Sequence, residues 1–145
     1  MMKNPPRKPP VDPVAPLATA SYEETRTAAL GGLRPPEFWT DAFSVGHAEL
    51  DSQHMRLLAL CQAADQACPE RNPRGSEMLH LLLNELFLYA DHHFGTEESI
   101  LEAARYPQFA EHRDAHQSWL ERLADLLVGS LEQGPDCEQL RALLL

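Results

Sequence analysis

Beyond residue 46 the apolar positions recur at alternating intervals of three and four, the period of one face of an α-helix. The first stripe is Leu50, His54, Leu57, Cys61, Ala64 and Cys68, and it predicts a helix over about residues 47–67. Gly46 stands before it, and the run Pro69-Glu70-Arg71-Asn72-Pro73-Arg74-Gly75 breaks it. A second stripe holds Leu79, Leu82, Leu86, Tyr89 or Ala90, His93, Glu97 and Ile100. It predicts a helix over about residues 76–104, with Ser76 as its N-cap. Tyr106-Pro107 interrupts the pattern, and Pro107 suits the first turn of a third helix. That helix carries Phe109, His112, His116, Leu120, Leu123 and Leu127, with Gly129 and Gly134 flanking its end. Pro135 then opens a last stripe of Cys137, Leu140 and Leu144, a stump of at most about 11 residues. Long amphipathic helices joined by short breaks pack as antiparallel neighbours. The expected fold is therefore all-α: an up-down antiparallel four-helix bundle with a truncated fourth helix.

Residues 1–36 read differently, because eight of the twelve prolines fall there. Such a segment cannot sustain a helix or a sheet ladder and has little to bury. It is expected to be a disordered, partly extended arm, with a short transient helix over residues 21–30 and Pro35-Pro36 as its border. The division is then residues 1–36 as arm and residues 37–145 as helical bundle.

Charge separates the same two parts. The arm holds five basic and three acidic side chains, and the remainder seven basic against nineteen acidic. An acidic body repels phosphate backbones, so nucleic acid is not an expected partner. No stretch approaches the roughly 18 apolar residues of a membrane span, and prolines interrupt the N-terminus where a signal peptide would need an apolar core. Cys61, Cys68 and Cys137 form no Cys-x-x-Cys pair. Cys61 and Cys68 would lie about 10 Å apart along one helix, too far for a disulfide, and are expected to pack as small apolar side chains. That usage fits a reducing cytoplasm.

The candidate chemistry lies on the stripes themselves. His54, His93, Glu97, His112 and His116 all occupy positions that face the core, and His93/Glu97 and His112/His116 are i,i+4 pairs on single helix faces. Four imidazoles and a carboxylate in a dry interior are costly unless something pairs with them, and a buried cation would do so. A lone histidine on an apolar face is usually a satisfied core side chain; here several coincide. The donor set suits iron, and also zinc or copper. His47, His80 and His92 fall off the stripes and read as solvated side chains. Glu77-Met78-Leu79-His80 is a single Glu-x-x-His, off the level of the other candidates and without a partner. No nucleophile with an adjacent base and no phosphate-binding glycine loop is present, so no enzyme activity is expected.

With these residues in view the chain resembles the bacterial hemerythrins over about residues 38–128. The resemblance rests on Phe43-Ser44-Val45-Gly46 leading into Leu50-Asp51-Ser52-Gln53-His54, on His93-Phe94-Gly95-Thr96-Glu97-Glu98, and on Tyr106-Pro107 followed by His112 and His116. It implies a four-helix bundle holding a di-iron centre that binds O₂ reversibly. It further implies that His54 and His93 bind one iron, that His112 and His116 bind the other, and that Glu97 bridges them. Phe94 and Trp119 would wall an apolar pocket. The family also has a fourth-helix histidine followed five residues later by an aspartate. Leu140 to Leu145 stops short of that motif, so five of seven implied protein ligands are expected and the di-iron centre is incomplete.

The resemblance implies oxygen binding, transport, storage or sensing by a monomer or weak homo-oligomer. Two other readings stay open: a module holding a single iron or zinc, and a metal-free helical interaction domain whose proline-rich arm docks an unknown partner.

Overall fold

The computed structural model describes residues 19–37, 39–71 and 75–144. Among them five α-helices follow one another: α1 (Thr19–Gly31), α2 (Ala48–Gln66), α3 (Ser76–Ala103), α4 (Phe109–Glu132) and α5 (Cys137–Leu144). A 3₁₀ turn at Asp41–Phe43 precedes α2. Helices α2 to α5 close a ring in which each packs on the next and α5 returns to α2. Their directions follow from side-chain pairs. His80 of α3 meets Ser130 of α4, whereas Glu97 further along α3 meets His112 at the start of α4. Arg141 of α5 reaches back to Asp65 of α2, and Cys137 to Cys68. Both pairs of helices are antiparallel, and the expected up-down bundle with a short fourth helix is the observed architecture.

Local chemistry fixes the helix ends that set the register. Gly46 adopts φ 75°, and Asp51 accepts hydrogen bonds from Ser44 Oγ at 2.6 Å and Val45 N at 2.8 Å, which anchors the turn leading into α2. The Ser44 hydroxyl, then the Val45 amide, hold the Asp51 carboxyl below its ordinary pKa. His54 follows one turn later. At the other end, α3 stops in a Schellman motif: Arg105 takes φ 52°, Tyr106 N bonds Leu101 O and Arg105 N bonds Glu102 O, both at 3.0 Å. That tight reversal brings the start of α4 against the last two turns of α3.

The packed apolar core occupies the far half of the bundle, around Leu60, Ala64, Leu79, Leu83, Leu86, Leu123 and Leu140. Each such buried leucine contributes about 1.5–3 kcal/mol. The polar residues buried in the other half are Gln53, His93 and His116, which lie outside that cluster.

Several expectations need correction. The short helix expected over residues 21–30 is present as Thr19–Gly31, but it is not transient: it rests on α3, and Arg26 donates to both carboxylate oxygens of Glu85. The reason is visible in the sequence, since the prolines cluster up to Pro16 and at Pro35-Pro36 and leave this stretch free. Residues 1–18 lie outside the described residues. Cys68 does not pack as a thiol but is joined to Cys137, while Cys61 is free. The return of α5 to α2 brings Cys137 to Cys68, and cysteine usage no longer supports a reducing compartment. Gly75, not Ser76, caps α3, because the first helical bond runs from Leu79 N to Gly75 O. Pro107 stands two residues ahead of α4 and not inside its first turn. No described helix is long and apolar enough to cross a membrane.

Candidate metal centre

The two i,i+4 pairs meet where the end of α3 crosses the start of α4, and α2 supplies the fifth side chain. His54, His93 and Glu97 form one triad, and Glu97, His112 and His116 a second; within each triad the donor atoms lie within 4.8 Å of one another. Glu97 belongs to both. Its carboxylate oxygens stand 3.7 Å from His93 Nε2, 3.5 Å from His112 Nε2 and 3.4 Å from His116 Nε2. The structure thus brings together every residue that the sequence singled out. His47, His80 and His92 stay outside the cluster. His47 caps α2, accepting from Leu50 N, and His92 is exposed. His80, expected in solvent, is half-buried and bonds Ser130 Oγ at 2.9 Å, tying α3 to α4.

The geometry fits a metal better than a set of direct hydrogen bonds. Two ligand atoms about 2.1 Å from one metal at a tetrahedral angle lie about 3.4 Å apart, and the Glu97 separations fall at and just above that value. They are long for hydrogen bonds, whose heavy atoms approach to about 2.7–3.2 Å. His112 Nε2 is shielded from water and has no hydrogen-bond partner, an orphaned donor-acceptor atom aimed at Glu97. A cation shared with Glu97 would resolve it.

Ring orientations are set from behind. His93, 1% exposed, has Gln53 Oε1 at 2.9 Å from Nδ1, so Nδ1 donates and Nε2 keeps its lone pair toward Glu97. His116 has Glu98 Oε1 at 3.0 Å from Nδ1. The face of His116 stacks on Phe94 at 3.8 Å and 7°, and Trp119 meets Phe94 edge-on at 5.6 Å. Trp119 Nε1 in turn donates to Leu143 O, which pins α5 to this wall. Phe94 and Trp119 therefore stand beside the cluster as expected. Gln53 and Glu98 were not singled out by the sequence reading; each is the immediate neighbour of a candidate ligand, His54 and Glu97 respectively, and that adjacency was the available signal.

The electrostatics favour bound cation. The His116 imidazole beside it, opposed by burial and reinforced by His112 and His93, brings the Glu97 carboxyl down to about 2. Burial, with help from His54, lowers His93 to about 4, so its imidazole is neutral and available as a donor at physiological pH. Burial acts to lower His116 as well, but Glu97 and Glu98 outweigh it and its pKa is raised.

A helical bundle with two histidine triads on a shared glutamate defines a class of cation-binding proteins. The model of the hemerythrin HHE cation-binding domain matches residues 45–144, and the chain belongs to the hemerythrin family. It is 28% identical over 109 residues to a bacteriohemerythrin of Stenotrophomonas maltophilia (strain R551-3), covering 73% of this chain and 67% of that one. Hemerythrin-like proteins of Naegleria gruberi and Naegleria fowleri are each 29% identical over 98 residues, covering 67% of this chain and 75% of theirs. No solved structure matches the chain.

Proposed function

We propose that the protein is a non-haem iron protein in which His54 and His93 hold one iron, His112 and His116 a second, and Glu97 bridges them, and that it binds O₂ reversibly. The role is oxygen binding, storage or sensing and not turnover of an organic substrate. What supports this most is the membership of Glu97 in both triads, since one carboxylate with two oxygens can serve two neighbouring ions. Iron held there supplies reversible electron donation to a diatomic ligand. The chain does the rest. Gln53 and Glu98 keep Nε2 of His93 and of His116 turned inward, and Phe94, braced by Trp119, stacks on the His116 ring and holds its plane.

One observation favours a second reading, a single iron or zinc ion: among the described residues Glu97 is the one carboxylate in either triad. Metal analysis and visible absorption of aerobically purified protein separate the two. Two irons per chain, with a ferric absorption band that bleaches on anaerobic reduction and returns with air, support the proposal. One colourless zinc per chain supports the second reading, and metal-free protein that takes up no iron defeats both.

A further inference from the structure

The two inward-facing imidazoles that are oriented from behind are held by different chemistry. His93 Nδ1 faces the amide oxygen of Gln53, a neutral acceptor that is 8% exposed. His116 Nδ1 faces the carboxylate of Glu98. A carboxylate has no proton to give, so Nδ1 of His116 carries a proton, and in the neutral ring the free lone pair sits on Nε2, 3.4 Å from Glu97. A charged acceptor also draws on the Nδ1–H bond and enriches Nε2 in electron density, whereas a neutral amide mainly orients the ring. The Phe94 face at 3.8 Å removes the remaining freedom of ring rotation. Glu98 itself is not buried with the ligands: its side chain is 25% exposed and lines an open cavity of about 250 Å³ with Asp91, Arg113, Asp114 and Gln117. It reaches His116 from the solvent side, behind the ring.

We infer that Glu98 is a positioning residue that fixes the tautomer and strengthens the donor atom of His116, so that the Glu97–His112–His116 triad takes a divalent cation ahead of the His54–His93–Glu97 triad. This rests on the metal-binding reading above. The two triads are then unequal by construction, with a charged partner behind one and a neutral partner behind the other.

The test uses the full-length, metal-free protein titrated with Co²⁺, whose visible absorption reports the ligand field, together with ¹⁵N shifts of the histidine rings before metal is added. Wild type is expected to bind Co²⁺ in two steps, with His116 showing the Nδ1–H tautomer. Glu98→Gln keeps an acceptor but loses the charge, and the tighter step weakens 10–100-fold, the usual cost of losing such a partner. Glu98→Ala loses both, weakens the same step at least as much and releases the tautomer bias. Gln53→Leu weakens the other step and leaves the tighter one alone. If wild type binds Co²⁺ and both Glu98 variants load like it, the inference is overturned while the metal site stands. If wild type binds no divalent metal, the functional reading fails, and the ring shifts still decide the positioning: a His116 that keeps Nδ1–H in Glu98→Ala overturns it. Circular dichroism of each variant excludes loss of fold as the cause.

Discussion

Cys68, just past the end of α2, is bonded to Cys137, the first residue of α5, across 69 residues of chain. Both are buried, and they fasten the shortest helix of the ring at the end away from the metal candidates. Arg141 adds ion pairs to Asp65 and Glu70, and Trp119 holds the other end of α5 through Leu143 O. An eight-residue helix has little stability of its own, so its place depends on these ties. Closing a loop of this length stabilises a fold by about 4 kcal/mol in the chain-entropy model. Cys137→Ser, or reduction with a small dithiol, is expected to lower the thermal midpoint and to raise hydrogen exchange in α5 first. Cys61→Ser should leave the response to reductant and the exchange in α5 unchanged, since Cys61 is free. Equal midpoints with and without reductant would contradict the fastening role.

A second expectation separates ligands from look-alikes. His112→Ala or Glu97→Ala should remove bound metal while far-ultraviolet circular dichroism stays near that of wild type, because neither side chain is part of the packed core. His80→Ala should retain the metal. It breaks the bond to Ser130 and should cost about 0.5–1.5 kcal/mol in denaturant unfolding. Loss of metal in His80→Ala as complete as in His112→Ala would refute the ligand assignment.

These contrasts show which relationships were written locally. The stripes of α2, α3 and α4, and the pairs His93/Glu97 and His112/His116, follow from the helical period alone, which needs no knowledge of neighbours. The meeting of the two pairs at Glu97 follows nearly as directly, since the Schellman turn at Arg105 forces α4 back along α3. What stayed hidden depends on ring closure. Cys68 finds Cys137, and Arg141 finds Asp65, only once α5 has returned to α2. His80 looked solvated because Ser130, its partner, lies fifty residues away. The docking of α1 was equally illegible, since a lone Arg26 carries no sign that it will meet Glu85.

The pH dependence of the metal-free protein follows from three groups with different signs. His93 is lowered from 6.5 to about 4, chiefly by burial, so between those values the unfolded chain binds a proton that the native state refuses. Stability therefore falls with pH across that window, by about 3 kcal/mol in all. Glu97 is lowered from 4.5 to about 2, first by the His116 imidazole beside it, so its contribution is present above 4.5 and is lost as pH falls toward 2. His116 is raised against its own burial by Glu97 and Glu98; its contribution is full below 6.5 and is lost as pH rises through its native pKa. Urea midpoints of metal-free protein should peak near neutrality and decline on both sides. His93→Gln should flatten the limb between pH 6.5 and 4; an unchanged limb would rule out His93 as its source.

The last expectation concerns α1 and its buried partner. Glu85 is 8% exposed, inside the leucine-rich stretch Leu79–Leu86 of α3, and Arg26 grips it through Nε at 2.5 Å and Nη2 at 3.2 Å. A carboxylate at that depth depends on its cation, and removing one partner leaves the other paying the desolvation cost alone. Arg26→Leu should destabilise the protein by about 1–3 kcal/mol, because Glu85 then lacks its guanidinium. Replacing both, Arg26→Leu with Glu85→Leu, removes the charge pair entirely and should recover most of that loss, since an apolar pair of similar volume needs no counter-charge. Denaturant unfolding of the two single variants and the double variant measures the coupling. A double variant whose loss equals the sum of the two single losses would mean that the pair does not hold α1 in place.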